Sequence, residues 1–252
     1  MGFSDFHGNT DVVHRLRDML RREHFPQAVI LAGPSGSGKY TLALMLAKAM
    51  NCLAPTETDG LPDFCGKCSN CTRITQSEDL DARFAEAVEA RENLRETDKK
   101  ETRLFVQTHP DVLIIPPDPP QMMIKMDQVR RVIETIYYRP GDAKERVYIF
   151  TDSAFMKEAA NSLLKVLEEP PEFATIFLLT ENPGELLPTI RSRSMIVSLS
   201  ALSPEEIEQY LAKHRPEWTT KQRALVARLA EAQSDVQSPL IYRTTRRPVH
   251  TP

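Results

Sequence analysis

Ala28-Val29-Ile30-Leu31-Ala32-Gly33-Pro34-Ser35-Gly36-Ser37-Gly38-Lys39 decides the fold. Its first five residues are an unbroken apolar run. A strand covered on both faces of a parallel sheet has that composition, because neither side meets water. A glycine-rich turn ending in Lys39 follows, and Leu42 to Met50 then reads as a helix. Strand, glycine-rich turn, lysine and helix together are the setting of a phosphate-binding loop. The glycines let backbone N–H groups turn inward around phosphate oxygens. The helix start adds its positive dipole end, and the Lys39 ammonium reaches the outer phosphates as a mobile charge. The expected nucleotide contacts are Gly33, Pro34, Ser35, Gly36, Ser37, Gly38, Lys39, Tyr40 and Thr41.

Outward from this loop, strands and helices alternate. Residues 11 to 22 place Val12, Leu16, Met19 and Leu20 on one helical face. Further strands are expected at Val112–Ile115, Val147–Phe150, Thr175–Leu179 and Ile196–Val197. Asp127 is placed to cap a helix carrying Val129, Val132, Ile133 and Ile136. Phe155, Ala159, Leu163 and Val166 line another, which stops at Pro170-Pro171. The pattern predicts an α/β fold, a parallel sheet with helices on both faces. Residues 77–107 read as an insertion built on one charged, solvated helix. From 201 to 232 only helices are expected, Pro204–Lys213 and Lys221–Ala232, as a small lid after a core of residues 1–200. Residues 233–252 are rich in Ser, Thr, Pro and Arg without an apolar period and read as a loose tail.

Two positions that should hold magnesium depart from a hydrolytic site. The residue after the lysine is normally Ser or Thr, whose short hydroxyl ligates the ion. Here it is Tyr40, with Thr41 one place later. The strand Val147–Phe150 should end in two carboxylates but runs into Thr151-Asp152-Ser153, leaving Asp152 alone. Both departures predict nucleotide binding with little or no hydrolysis.

All four cysteines, Cys52, Cys65, Cys68 and Cys71, fall in one segment. Cys65-Gly66-Lys67-Cys68-Ser69-Asn70-Cys71 has the two-residue gaps of turns that aim successive sulfurs at one ion. Four thiolates close a tetrahedral zinc site with no open position, so residues 52–71 are expected to be a structural zinc module, the alternatives being four free thiols in a loop or an iron–sulfur cluster.

The formal net charge of −3 speaks against tight DNA binding by bulk electrostatics, and so against a zinc-containing nucleic-acid binding module. No apolar run approaches the ~20 residues that span a bilayer, and the N-terminus lacks the features of a signal peptide. The expected location is the cytoplasm. No set of metal-binding carboxylates supports a polymerase active site.

Asn161-Ser162-Leu163-Leu164-Lys165-Val166-Leu167-Glu168-Glu169-Pro170-Pro171 and Leu187-Pro188-Thr189-Ile190-Arg191-Ser192-Arg193-Ser194 resemble signature segments of the bacterial clamp-loader subunits of DNA polymerase III, an AAA+ family. The cysteine spacing after the phosphate-loop helix is similar to that family too, and the resemblance runs from about Phe6 to about Leu211. His109-Pro110-Asp111, Thr151-Asp152 and Tyr40 resemble the delta-prime type more than the ATP-hydrolysing tau/gamma motor type, which is the alternative. The resemblance implies ATP or ADP in the loop and zinc on the cysteines. It implies tau/gamma and delta subunits as partners, and the sliding clamp and primed DNA through the complex. It gives Arg193 the role of a finger completing a neighbour's ATP site, although Ser194 replaces the family's cysteine. It places Thr180 and Asn182 near the γ-phosphate. The family's helical collar domain would follow the lid; residues 233–252 are too short for one, as in a truncated or frame-altered sequence or in a chain that lacks the collar.

Overall fold

The computed structural model describes residues 2–234. Helix α1 (Thr10–Arg21) leads to strand β1 (Ala28–Ala32), and α2 (Lys39–Asn51) leaves the phosphate loop. A short hairpin, β2 (Thr56–Thr58) and β3 (Leu61–Asp63), precedes α3 (Ser69–Thr75), α4 (Leu80–Glu92) and α5 (Glu96–Glu101). Then come β4 (Val106–His109), β5 (Val112–Ile115), α6 (Met126–Ile136), β6 (Arg146–Phe150), α7 (Lys157–Glu168) and β7 (Ala174–Thr180). The chain continues through α8 (Pro188–Arg191), β8 (Met195–Ser198), α9 (Pro204–His214) and α10 (Thr220–Ser234).

Six strands form one sheet in the order β4-β5-β6-β7-β1-β8. Five are mutually parallel, as expected. The sixth, β4, is an antiparallel edge strand that the sequence did not announce. Alternate side chains of each strand face opposite layers. Val29 and Leu31 point toward α1, α2 and the cysteine module, packing with Leu16, Leu42, Leu46 and Ile74. Ile30 faces the other way, toward Val129 and Val132 of α6 and Leu163 and Val166 of α7. Burial on both faces explains the unbroken apolar runs, each such side chain contributing about 1.5–3 kcal/mol.

Three expectations need correction. The charged insertion is two helices, not one: α4 ends at Glu92, capped by Asn93, and α5 starts after Arg95. No residue of α4 is buried, so no apolar face holds it straight across that break. It is anchored instead by Arg91, paired at 2.7 Å with the buried Asp118. Asp127 does not cap α6. Lys125 occupies the cap position and its N–H donates to Gln128 Oε1 at 2.9 Å, while Asp127 pairs with Arg103 at 2.9 Å. Phe155 precedes α7 and packs on Phe150 with ring centroids 5.3 Å apart.

The lid forms from α9 and α10 around Ile207, Leu211 and Ala227. Ser203 starts it with a reciprocal cap: its hydroxyl accepts from the Glu206 N–H at 3.2 Å, and the Glu206 carboxylate accepts from the Ser203 N–H at 2.8 Å. Gln233 and Ser234, expected in the tail, continue α10, and the rest of the tail lies outside the described residues. At the junction of sheet and lid, the Asn9 side chain brackets Ser200, donating to its carbonyl at 3.0 Å and accepting from its N–H at 2.8 Å.

Candidate functional site

The phosphate loop leaves the carboxyl end of β1 and is pinned there by the Gly33 N–H, which donates to the Thr180 carbonyl at 3.1 Å. A Cβ at Gly33 would lie 2.4 Å from the Leu199 carbonyl oxygen, so only glycine lets the loop pass β8's exit. Gly36 has open space around it but a φ of +76°, where a side chain strains the backbone by about 1–2 kcal/mol. The Lys39 ammonium folds back onto the Gly33 and Pro34 carbonyls at 2.6 and 2.7 Å. Burial holds it below the usual lysine range, partly offset by the negative charge of Glu181. The Ser37 hydroxyl is buried and makes no hydrogen bond. A desolvated ammonium and an unmet hydroxyl within a ring of loop amides suit a phosphate.

Tyr40 does not face the phosphate loop with its hydroxyl, which donates to the Ser77 carbonyl at 2.6 Å. Asp152 lies just past β6, where its carboxylate accepts from the Ala154 N–H at 2.8 Å. Thr180 is buried at the end of β7, its single hydroxyl hydrogen shared between Ser153 Oγ at 3.0 Å and the Asn182 carbonyl at 2.9 Å. Asn182 caps the next turn by accepting from the Gly184 N–H at 2.9 Å. The loop, Asp152 and Thr180 thus share the carboxyl edge of the sheet. The sequence reading missed Glu181, the carboxylate whose field reaches Lys39. Its adjacency to Thr180, at the edge where the loop emerges, is the signal that could have found it.

Arg193 is elsewhere. β8 runs parallel to β1 in the register Val29↔Met195 to Ala32↔Ser198. Arg193 precedes β8, whereas the phosphate loop follows β1, so the two occupy opposite ends of neighbouring strands. Its guanidinium is partly exposed and donates to the Glu168 carboxylate at 3.0 Å and the Thr189 carbonyl at 3.1 Å.

The four cysteines come together as the spacing predicts. Their sulfurs all lie within 4.8 Å of one another, against about 3.8 Å for thiolates on a tetrahedral zinc ion. Backbone amides stabilise the negative form: Cys65 N–H donates to Cys52 Sγ at 3.3 Å, and the Lys67 and Cys68 N–H groups donate to Cys65 Sγ at 3.4 and 3.3 Å. Those last two amides bring the Cys65 thiol down to about 6, whereas burial pushes the Cys71 thiol up. Mutual closeness and N–H···S bonds make this a donor set that fits a thiophilic metal. Among the described residues no other group of three or more Cys, His, Asp or Glu has this geometry.

A phosphate loop on β1, helices on both faces of the sheet and a helical lid after β8 define a P-loop protein of the AAA+ class. A single-site RuvB mutant from Thermotoga maritima has the same fold, with a TM-score of 0.50 at 14% identity over 92% of this chain and 63% of that one. A DNA polymerase III gamma-subunit-related protein from the same organism aligns at a TM-score of 0.48 and 23% identity, covering 87% of this chain and 60% of that one. The family described as "DNA polymerase III, delta subunit" matches residues 8–203, and the chain belongs to it. Similar curated proteins include the delta' subunit of Bacillus subtilis, 29% identical across 79% of this chain and 50% of its own length. The tau/gamma subunit of Haemophilus influenzae is 28% identical across 83% of this chain and 25% of its own. The chain thus spans between a quarter and a half of the length of these relatives. No described helix is long and apolar enough to cross a membrane.

Proposed function

We propose that this chain is a delta-prime-type subunit of the DNA polymerase III clamp loader, which holds a nucleotide without hydrolysing it and completes the ATP site of a neighbour. One observation carries the reading: the residue that should offer magnesium a short hydroxyl is Tyr40, and its phenol is committed to Ser77, 2.6 Å away. Asp152, the lone carboxylate beyond β6, is turned into its own loop. Neither Tyr40 nor Asp152 is then placed to hold magnesium, and Glu181 is the carboxylate left near Lys39, while Lys39, Ser37 and the loop amides still suit a triphosphate or diphosphate.

Arg193 supports the second half. At the far end of the sheet it serves no phosphate of its own chain, but it is exposed enough to enter another. A guanidinium supplied in trans offsets charge on the γ-phosphate during transfer. Cys52, Cys65, Cys68 and Cys71 would hold zinc, which when bound supplies a structural cross-link between α2 and α3. Tau/gamma and delta subunits are the partners this role requires, with the sliding clamp and primed DNA reached through the assembly.

The test is magnesium-dependent ATP turnover by the chain alone and after mixing with tau/gamma and delta subunits. No turnover alone, and turnover in the assembly that depends on Arg193, is the expected result. Turnover near 1 s⁻¹ by the isolated chain, about the low end for kinases, would instead favour a tau/gamma-type motor. The 28% identity to tau/gamma proteins keeps that reading in play.

A further inference from the structure

Helix α2 connects the two sites. Its first turn, Lys39 and Tyr40, leaves the phosphate loop, and the residue after its last turn is Cys52, a member of the sulfur cluster. Straps along its side reach the segment that follows α3, the helix carrying Cys71. The Tyr40 hydroxyl donates to the Ser77 carbonyl at 2.6 Å. Lys48, fully buried, pairs with Glu78 at 2.5 Å and lies 5.4 Å from the centre of the Phe64 ring. Ser77 and Glu78 close α3 in turn, their N–H groups donating to the Ile74 and Thr75 carbonyls. Ser77 Oγ also shares a hydrogen with Thr108 Oγ1 at 2.6 Å. At the other end of α2, Asn70 of α3 donates to the Asn51 carbonyl at 3.0 Å.

A serine or threonine at position 40 would keep its hydroxyl one bond from Cβ. A phenol carries it across a whole ring, which is what the span to Ser77 requires. We infer that Tyr40 is a positioning residue tying the first turn of α2 to the exit of the cysteine module, so that metal loading and phosphate-loop order are linked. The inference rests on the metal reading given above. α3 is too short to persist alone in water; Ile74 in the core and Asn70 on the Asn51 carbonyl hold it in part, and an ion gathering Cys68 and Cys71 would add the tie that steadies the Ser77 carbonyl. That carbonyl fixes Tyr40, and Tyr40 fixes the helix start that the loop amides lead into. Such a linkage is reciprocal: an anion in the loop also strengthens metal retention.

Hydrogen exchange on the full chain tests this in three states: zinc-loaded wild type, zinc-loaded Tyr40→Phe, and chelator-stripped wild type. Tyr40→Phe is expected to keep the wild-type zinc content. Its amides at 37–44 and 74–79 should exchange about fivefold faster, the effect of losing one hydrogen bond of ordinary net strength, while β6 is unchanged. Stripping should accelerate the same two segments. Wild-type rates in fully loaded Tyr40→Phe overturn the linkage alone. So does a stripped chain whose phosphate loop keeps its loaded protection, or acceleration spread evenly over the sheet. Purified wild type that takes up well under one equivalent of zinc overturns the metal reading and the linkage with it.

Discussion

Glu168, the last residue of α7, holds Arg193 at 3.0 Å from across the turn that precedes β8. The pair joins the two segments whose sequences carry the family resemblance. Both side chains are substantially exposed, so the attraction is worth at most about 1 kcal/mol. That is enough to orient a guanidinium at the surface, and weak enough for a polyphosphate to displace the carboxylate. Arg193→Ala should therefore leave this chain's own nucleotide affinity unchanged. It should slow ATP turnover by the assembled loader by about 10³-fold, the scale of a missing arginine finger. Steady-state hydrolysis by the reconstituted complex measures it, and equal rates would remove Arg193 from the mechanism.

Cys71→Ser should abolish stoichiometric zinc uptake, read by elemental analysis. Cys52 and Cys71 are both buried in the same core layer as Leu42 and Ile74, so losing the metal is felt beyond the module. A fall in unfolding free energy of several kcal/mol, below the ~10–16 kcal/mol with which small structural sites bind zinc, is expected in urea denaturation.

Asp118 is wholly buried and faces three cations: Arg91 at 2.7 Å, Lys125 at 3.2 Å and Arg103 at 4.0 Å. Asp118→Ala strands Arg91 in a nearly dry site. A loss of about 3–5 kcal/mol follows for a broken buried pair. Because α4 has no buried residue of its own, limited proteolysis should then cut first between residues 80 and 101. Replacing Arg91 and Asp118 together by apolar residues should recover part of that loss, since Lys125 and Arg103 still face the vacated site.

His109 gives a pH dependence. Burial holds its imidazole below the ordinary histidine value, with Asp111 acting the other way. Its Nδ1 accepts from the Asp111 N–H at 3.1 Å, a bond available only to the neutral ring. The unfolded chain then binds the proton more readily, so stability is intact above the ordinary histidine range and declines as pH falls toward the folded-state value. Melting temperature should drop on going from pH 7.5 to 5.5, and a His109→Gln variant should show a smaller drop over the same interval.

The phosphate loop, the parallel strands and the cysteine cluster were legible because each is specified locally. Apolar runs announce strands buried on both faces, glycines announce the loop, and paired two-residue gaps announce converging sulfurs. What stayed hidden depends on distant partners. Val106-Gln107-Thr108-His109 has no strand signature of its own and becomes β4 by pairing with β5. The α4–α5 break and the diversion of Asp127 to Arg103 arise from ion pairs between segments far apart in the chain. The departure at Tyr40 was visible, but its hydrogen-bond partner, Ser77, could be found only from the folded chain.

The bracket of Asn9 around Ser200 reaches further than its two hydrogen bonds suggest. Asp5 pairs with Lys213 at 3.1 Å, and the His7 ring meets Tyr210 edge-on at 4.9 Å, so the opening residues lie against the lid. Phe6, between them, packs over Gly38 of the phosphate loop. Residues 5–9 thus tie the helical pair both to the exit of β8 and to the phosphate loop. Asn9→Ala, which removes both hydrogen bonds to Ser200, would loosen the helical pair from the sheet while leaving every glycine of the loop in place.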